Sequence, residues 1–322
     1  MQIGYKLASE GFGPDDIIDQ AVQAEAAGFD FVEISDHFHP WLEVQGHSPG
    51  TWPLLGALAM RTERVGLVTG VTCPSVRYHP AVIAQQAATV QLLSKGRFTL
   101  GVGAGERLNE HVVGQGFPST LHRHERLAES LQIIRQLWQG GYQSFQGAHL
   151  QLEDARVFDL PDVLPEIIVA ISGHQSSRLA VEHGDGIIAT EPSPELTRLY
   201  ADAGGTGKRY AEVPLAWAPD EQTAVDTALE MNGWFVSGWK VMSELPNPVS
   251  FQAVNDLVTE DKIRERFGCG PDVARHLEVV QPYVDAGFDH LVLLNAGPDP
   301  AGFLDFFTRE LAGPLRALAP QA

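Results

Sequence analysis

The sequence predicts a (β/α)8 barrel, and three observations carry that expectation. Short apolar runs alternate with amphipathic helical stretches along the whole chain, an order that demands right-handed crossovers and a parallel sheet. About eight such strands can be counted, the number that closes most economically into a barrel. The 322 residues match the length one barrel commonly fills, and no low-complexity tract, fixed-period repeat or Pro/Gly/Ser linker divides them, so residues 1–322 are expected to form a single domain. An open doubly wound sheet is the alternative arrangement of the same units.

Residues 3–7 read as the first strand. Gly13, Pro14, Asp15 and Asp16 then supply a cap, a first-turn proline and acids for a helix N-terminus. That helix keeps Ile17, Ile18, Ala21, Val22 and Ala26 on one face until Gly28, which can take the left-handed conformation that stops it. Residues 31–35 form the second strand. A helical stretch through 54–60 leads to strand 65–69, helix 80–93 closed by Gly96, strand 98–102 and helix 123–138. Strand 167–171, a short helix ending near His183, strands 186–189 and 213–217, helix 272–286, strand 291–294 and a last helix near 303–318 complete the series. Residues 220–260 break the rhythm, with Trp234, Phe235, Trp239, Pro246 and Pro248 crowded together. They are expected to form an insertion above the barrel mouth, either a substrate lid or a helical elaboration without a chemical role.

Composition narrows the partners. With 44% apolar and 20% charged residues the chain can bury a substantial core and is neither disordered nor fibrous. Against 22 Lys and Arg stand 41 Asp and Glu, and the formal charge of −19 repels phosphate backbones and anionic lipid, so neither nucleic acid nor a membrane is an expected partner. Cys73 and Cys269 are too few for a disulfide framework and read as reduced thiols of a cytoplasmic protein. The opening residues Met1-Gln2-Ile3-Gly4-Tyr5-Lys6 lack a long apolar stretch, and no export is expected.

In a barrel, the loops after the strands gather at one face, so residues distant in sequence can meet there. Those loops carry Glu10, Asp36 to Trp41 (Asp-His-Phe-His-Pro-Trp), Gly70 to Cys73, Gly103 to Asn109, Ser172 to His174 and Thr190-Glu191. His37 is the candidate acid/base, because an imidazole titrates near neutral pH and can take a proton from an alcohol or return one to a carbonyl. His39 can instead serve the turn before Pro40. His37-Phe38-His39 also spells H-x-H, a pair that could hold zinc in a barrel hydrolase, with His174 and Glu191 as the only further ligand candidates. Gly101, Gly103 and Gly105 miss the dinucleotide fingerprint, whose third glycine would fall at Glu106, and no P-loop lysine follows. Gly103 and Gly105 can let backbone approach a flat ligand beside the Glu106 carboxyl group, or can serve tight packing alone. Cys73 and Thr190 are expected at the substrate.

Four stretches together carry a family likeness: Gly4-Tyr5-Lys6 with Glu10; Ser35-Asp36-His37-Phe38-His39-Pro40-Trp41; Thr72-Cys73-Pro74 leading to Arg77-Tyr78-His79-Pro80-Ala81-Val82-Ile83-Ala84-Gln85; and Gly103-Ala104-Gly105-Glu106 with Asn109-Glu110. They resemble the deazaflavin-dependent branch of the luciferase-like barrels, which use coenzyme F420. The likeness is close through the first third and looser to Leu318. It implies F420 lying across the C-terminal mouth and a hydride passing between a substrate carbon and deazaflavin C5, that is, a dehydrogenase or reductase acting on CH–OH or carbonyl groups without a metal. By the same resemblance His37 is the base, Glu106 the proton partner of the ring, and Trp41 and Glu10 line the substrate pocket. Gly70-Val71 corresponds to a non-proline cis peptide backing the ring, and Asp36, Ala104, Gly105, Asn109, Ser172 and Gly173 correspond to cofactor-contacting positions.

Two branches of that family compete for the substrate. Glucose-6-phosphate dehydrogenases carry lysines at places falling near Ser193 and Ala253, neither of which is basic here, whereas residues 36–41 look more like the secondary-alcohol dehydrogenases. An alcohol or carbonyl is therefore expected, and a sugar phosphate is the alternative, with Lys240, Lys262, Arg264 or Arg266 as sources of positive charge. An FMN-dependent luciferase-like monooxygenase and the metal hydrolase stand behind these. Amides near Gly173, the helix start near Ser176 and Arg178 are expected to meet the anionic part of F420. Related barrels are commonly dimers, so a homodimer is expected.

Overall fold

Eight parallel strands close into a barrel in this computed structural model, which describes residues 1–321. They are β1 (Gln2–Leu7), β2 (Phe31–Ile34), β3 (Gly66–Thr69), β4 (Phe98–Val102), β5 (Glu166–Ala170), β6 (Gly186–Ala189), β7 (Lys208–Ala216) and β8 (His290–Asn295). β1 pairs with both β2 and β8, and β7 with both β6 and β8, so the ring closes and the open-sheet alternative falls.

The strand period of two sorts the barrel interior into layers. Phe31, Val68, Ile168, Ile188, Tyr210 and Val292 form an apolar plug, with Phe31 meeting Tyr210 edge-on at 5.4 Å. Gly4 makes room for it, since a Cβ there would lie 2.2 Å from the Phe31 ring. Two residues further along the same strands stand Lys6, Glu33 and Glu212, and the apolar plug gives way to a charged floor. Outside the ring, Ile17, Leu55, Ile83, Leu131 and Phe303 belong to the main core between strands and helices.

Helices Pro14–Ala27, Pro80–Leu93 and Val273–Asp285 follow the sequence expectation closely. β7 begins at Lys208 rather than 213, and the helix expected at 123–138 begins at Thr120. Several elements lie outside the sequence reading, among them the short helices Arg107–Glu110 and Glu260–Arg266. The antiparallel hairpin Gln143–Gln146 with Gln151–Ala155 is polar and half exposed, so no apolar run announces it. Helix Pro194–Asp202 is short, and the two-residue strand Gly268–Cys269 borrows its pairing from β7. The last helix is broken into Pro300–Phe306, a π turn Phe307–Leu311 and Ala312–Arg316, close to Pro314, which has no N–H to continue the ladder.

The region expected as an insertion folds into helices Glu221–Asn232, Trp239–Met242 and Pro248–Asn255, with the turn Gly233–Ser237 between the first two. It builds its own core, in which Trp234, Phe235 and Phe251 pack with Trp41 and Leu42 from the loop after β2 and with Phe267. The insertion is thereby seated on one side of the mouth.

β3 and β4 approach so closely that Gly101 tolerates no side chain. Its N–H donates to Thr69 Oγ1 at 2.8 Å, its carbonyl accepts from Thr69 Oγ1 and from the Thr72 amide, and a Cβ would sit 1.8 Å from the Thr69 carbonyl oxygen. Gly101→Ala must push two backbones apart beneath the mouth and is expected to destabilise the fold by about 3 kcal/mol. Urea unfolding measures it; an unchanged midpoint contradicts this packing.

Candidate active site

A cavity of about 1110 Å³ opens at the C-terminal ends of the strands, roomy enough for a cofactor and a small substrate together. The sequence from β1 into its loop brings Glu10 to the wall, and the end of β2 brings His37. His37 Nδ1 and Glu10 Oε1 are directly hydrogen-bonded, with side-chain exposures of 10% and 6%. Burial pulls the imidazole pKa down, but the Glu10 carboxylate, and more weakly Glu106, outweigh it and hold His37 above its ordinary value. Burial pushes the Glu10 carboxyl up, and the His37 charge and hydrogen bond, with Lys6 behind them, hold it below the ordinary value. With Nδ1 committed to Glu10, the other ring nitrogen is left for a ligand.

Trp41 closes one side of this pair. Its ring meets His37 edge-on at 4.8 Å and stacks on Trp234 of the insertion at 4.3 Å. Gln45 fixes the arrangement by accepting the Trp41 and Leu42 amides on Oε1 and donating from Nε2 to the Met231 carbonyl.

Glu106 faces the cavity from the start of the short helix Arg107–Glu110 after β4. Asn109 Nδ2 donates to its Oε1 at 2.6 Å, while Asn109 Oδ1 accepts the Phe38 and His39 amides at 2.7 and 2.8 Å. Beside it, burial and then the Glu106 charge push the Glu110 carboxyl up to about 7, against the pull of Arg77.

The remaining sequence candidates divide in two. Gly70, Val71, Ala104, Gly105, Ser172 and Gly173 line the cavity, as does Thr190, and the Gly70-Val71 peptide is cis. Asp36, Asn109 and Cys73 do not line it. Asp36 is turned to Trp52 Nε1, Thr72 Oγ1, Arg77 and Tyr78, which tie β2 to the β3 loop. Cys73 lies behind Gly105, where an added Cβ would come within 2.8 Å of its Sγ, and burial raises its thiol pKa well above the ordinary value. The expected substrate contact of Cys73 has Gly105 in its way.

The two histidines of the H-x-H pair take different partners, His37 with Glu10 and His39 Nδ1 with the Leu108 carbonyl at 3.2 Å. Among the described residues no three His, Cys, Asp or Glu side chains gather as a metal site. No helix among them is long and apolar enough to cross a membrane.

Glu33, Glu212 and Arg123 had no sequence signal of their own, and Lys6 entered only within the Gly4-Tyr5-Lys6 stretch. Lys6 Nζ spans Glu33 at 2.7 Å, Glu212 at 2.8 Å and the Gly70 carbonyl at 3.2 Å, so the cavity floor is a buried charge cluster. Burial first, and Glu212 after it, raise the Glu33 pKa, while Lys6 opposes. Only closure of β1, β2 and β7 into one ring reveals that cluster. Arg123 and Lys240 also reach the cavity wall, carried by the helix Thr120–Leu137 and by the insertion. Arg123 pairs with Glu244 at 3.1 Å, and Lys240 has no ion pair among the described residues. Of the other basic candidates, Arg178 pairs with Glu182, Arg264 with Glu221 and Glu260, and Arg266 with Glu191 and the Thr190 carbonyl, while Lys262 is exposed and does not line the cavity.

Comparison with known proteins agrees with this architecture. The sequence profile described as luciferase-like monooxygenase matches residues 1–290. The F420-dependent glucose-6-phosphate dehydrogenases of Beutenbergia cavernae and Microbacterium testaceum are each 36% identical to this chain, and each alignment covers 98% of both sequences. Among solved structures, an F420-dependent secondary alcohol dehydrogenase in complex with an F420-acetone adduct superposes with a TM-score of 0.88 at 29% identity, over 95% of this chain and 97% of that one. The coenzyme F420-dependent tetrahydromethanopterin reductase of Methanopyrus kandleri shares the fold with a TM-score of 0.79 at 19% identity, over 97% and 98% of the two chains. Barrel, mouth cavity and full-length relatives agree, and the chain belongs to the luciferase-like family.

Proposed function

We propose that this protein is an F420-dependent oxidoreductase that moves a hydride between the carbon of an alcohol or carbonyl substrate and the deazaflavin, without a metal. The observation that carries the reading is the pair of proton-handling groups on one cavity, His37 backed by Glu10 and Glu106 held by Asn109, in a chain whose full-length relatives are named F420-dependent dehydrogenases.

The residues fit such a cofactor. Val71, Ala104, Ala170 and Ile188 offer small apolar surface for a flat ring. At the other end, a Cβ on Gly173 would meet no atom within 4 Å, so that backbone is open to the cavity, and the helix His174–His183 begins there with no side-chain cap on its first amides. Uncapped amides at a helix start suit the anionic part of the molecule. When bound, F420 supplies the hydride acceptor or donor. His37 takes the hydroxyl proton in oxidation and returns it in reduction, and Glu10 stabilises the imidazolium between those events. Glu106 holds a proton beside the ring, and the stacked Trp41 and Trp234 keep water from the reacting carbon.

The charges on the wall favour an uncharged substrate. Lys6 and Arg123 are neutralised by carboxylates, and Arg266 behind Thr190 is paired with Glu191, which leaves Lys240. A phosphate needs several charge-assisted bonds, so one lysine is a weak site. The sugar-phosphate reading keeps two supports, the names of the full-length relatives and Lys240 itself. By family likeness the protein is also proposed to be a cytoplasmic homodimer, which size-exclusion chromatography with light scattering checks.

Fluorescence titration followed by a substrate screen tests the assignment. F420 is expected to bind tighter than FMN, secondary alcohols to be oxidised with a higher kcat/KM than glucose 6-phosphate, and dialysis against a chelator to leave the rate intact. Tighter FMN binding overturns the cofactor, and rapid turnover of the sugar phosphate overturns the substrate class.

Alcohol oxidation needs neutral His37, whose pKa is raised, so the oxidation rate is expected to climb as pH rises through that raised value. Glu10→Gln removes the anion and leaves burial dominant, so the same limb is expected to move to lower pH by about one unit or more. His37→Asn is expected to lower kcat by about 10²–10⁴-fold with little change in F420 affinity, and His39→Asn by far less. Single-turnover kinetics across pH measures both; a limb that stays in place in Glu10→Gln removes His37 from the role of base.

A further inference from the structure

We infer that Glu212 is a specificity-determining residue that receives a second hydroxyl of the substrate, one other than the hydroxyl oxidised. The substrate class is then a polyhydric alcohol, which includes unphosphorylated sugars, in preference to a monohydric one. The inference rests on the hydride-transfer reading above and narrows its substrate.

The strand period places the residue. Tyr210, two positions earlier on β7, belongs to the apolar plug, so Glu212 also turns into the barrel, one layer nearer the mouth, and it lines the cavity. The Lys6 ammonium has three N–H donors and all are used, on Glu33 Oε1 at 2.7 Å, Glu212 Oε1 at 2.8 Å and the Gly70 carbonyl at 3.2 Å. The two carboxylates differ in their second oxygen. Glu33 is 0% exposed and its Oε2 is enclosed without a partner, beyond the reach of a ligand. Glu212 Oε2 has no hydrogen-bond partner among the described residues either, but its side chain keeps 13% exposure and that oxygen is not enclosed. One oxygen is anchored to Lys6 and the other is presented to the cavity.

An oxygen in this state selects what can lie on it. Water satisfies it until a ligand fills the floor and expels that water. A C–H or an ether oxygen over Oε2 then leaves a carboxylate oxygen desolvated and unpaired, and a phosphate adds repulsion, whereas an O–H restores the bond. The floor thereby rejects acceptor-only and anionic groups and takes a donor.

The position of β7 assigns that donor to the substrate rather than to the cofactor. Strands β3 to β6 and their loops contribute the small apolar surface of Val71, Ala104, Ala170 and Ile188, and the ring continues through β7, β8 and β1 to β2. Glu212 thus lies on the arc that carries Glu10 and His37. Lys6, which anchors it, is close enough to act on both of those groups. A substrate whose reacting hydroxyl meets His37 has this floor as a polar surface for another.

Glu212→Gln inverts the polarity of the site. The ammonium can only donate, so the amide turns its carbonyl to Lys6 and its NH2 to the cavity. The variant is expected to fold, since it leaves one cation beside one carboxylate and removes a charge that, after burial, pushes the Glu33 carboxyl up. Propane-1,2-diol and butane-1,3-diol are each compared with the analogue methylated on its primary hydroxyl, by kcat/KM with F420 and by calorimetric binding to the protein with and without F420. The wild-type protein is expected to prefer at least one diol to its ether by about tenfold in both measurements, the worth of one hydrogen bond to a carboxylate. In Glu212→Gln that preference is expected to vanish or reverse. Glu212→Asp serves if the amide variant does not fold, and there the preference is expected to shrink without reversing. Each value is a ratio within one enzyme, so a general change in rate cancels. An unchanged diol-to-ether ratio in Glu212→Gln overturns the inference, as does a wild-type protein that prefers neither diol. An unchanged ratio with weaker F420 binding by fluorescence titration gives the oxygen to the cofactor and also overturns it. If no alcohol is oxidised with F420 while the binding contrast is present, the hydride-transfer reading is what fails.

Discussion

Closure of eight parallel strands governs everything else in this molecule, because it obliges each strand to send alternate side chains into one narrow interior. At one level that interior holds an apolar plug built on Phe31, Tyr210 and Val292. Two residues further toward the strand ends the same strands present Glu33, Glu212 and, from β1, Lys6. A shift of one residue in the pairing of β1 with β2, where Gly4 lies opposite Phe31 and Lys6 opposite Glu33, would drive those charges into the plug or the outer core. The register is thus fixed by the cost of burying a charge without a partner.

That charged floor supports the chemistry above it. Lys6 neutralises much of the Glu33–Glu212 charge and donates to the Gly70 carbonyl, so the floor carries the backbone segment that lines the cavity. It also contributes to the setting of Glu10, whose carboxyl lies within the influence of Lys6 as well as of His37. The result is a graded arrangement. A buried cation lies under a buried anion, the anion holds an imidazole, and the imidazole faces the cavity. Each member lowers the cost of desolvating the next, which allows a titratable pair to exist at 10% exposure or less in a cavity wall that is otherwise largely apolar.

The upper half of the site depends on a different force. Trp41 and Trp234 come from segments almost two hundred positions apart, and their stacking is embedded in a separate aromatic core with Phe235, Phe251 and Phe267. Apolar burial, largely non-directional, holds the insertion on the mouth, while directional bonds from Gln45 and Asn109 set the angles of the loops beneath it. The acidity of the whole chain reappears locally, since most basic groups near the cavity are already paired with carboxylates.

The barrel and its mouth were legible in the sequence because both arise from local periodicity. Apolar runs with period two mark strands, helical stretches between them force parallel crossovers, and residues just past a strand must lie at the same end. Hence the loops carrying His37, Glu10, Glu106 and Gly70 to Cys73 could be placed from order alone, while the roles of Glu10 and of the Gly70-Val71 pair came from the family resemblance, and Trp234 stood out in the crowded insertion. What order could not supply was direction. Asp36, Cys73 and Asn109 occupy the same loops as their neighbours, yet their side chains are buried behind the wall, where they bond to Trp52, Thr72, Ser75 and Glu106. The polar hairpin at residues 143–155 left little apolar trace either, since Leu152 is the one buried side chain of its two strands and the rest are half-buried or exposed. The partners of Lys6, Arg123 and Arg266 were likewise decided only by tertiary structure, because an ion pair between residues 27 to more than two hundred positions apart depends on which strands the ring makes neighbours, and no local pattern encodes that distance.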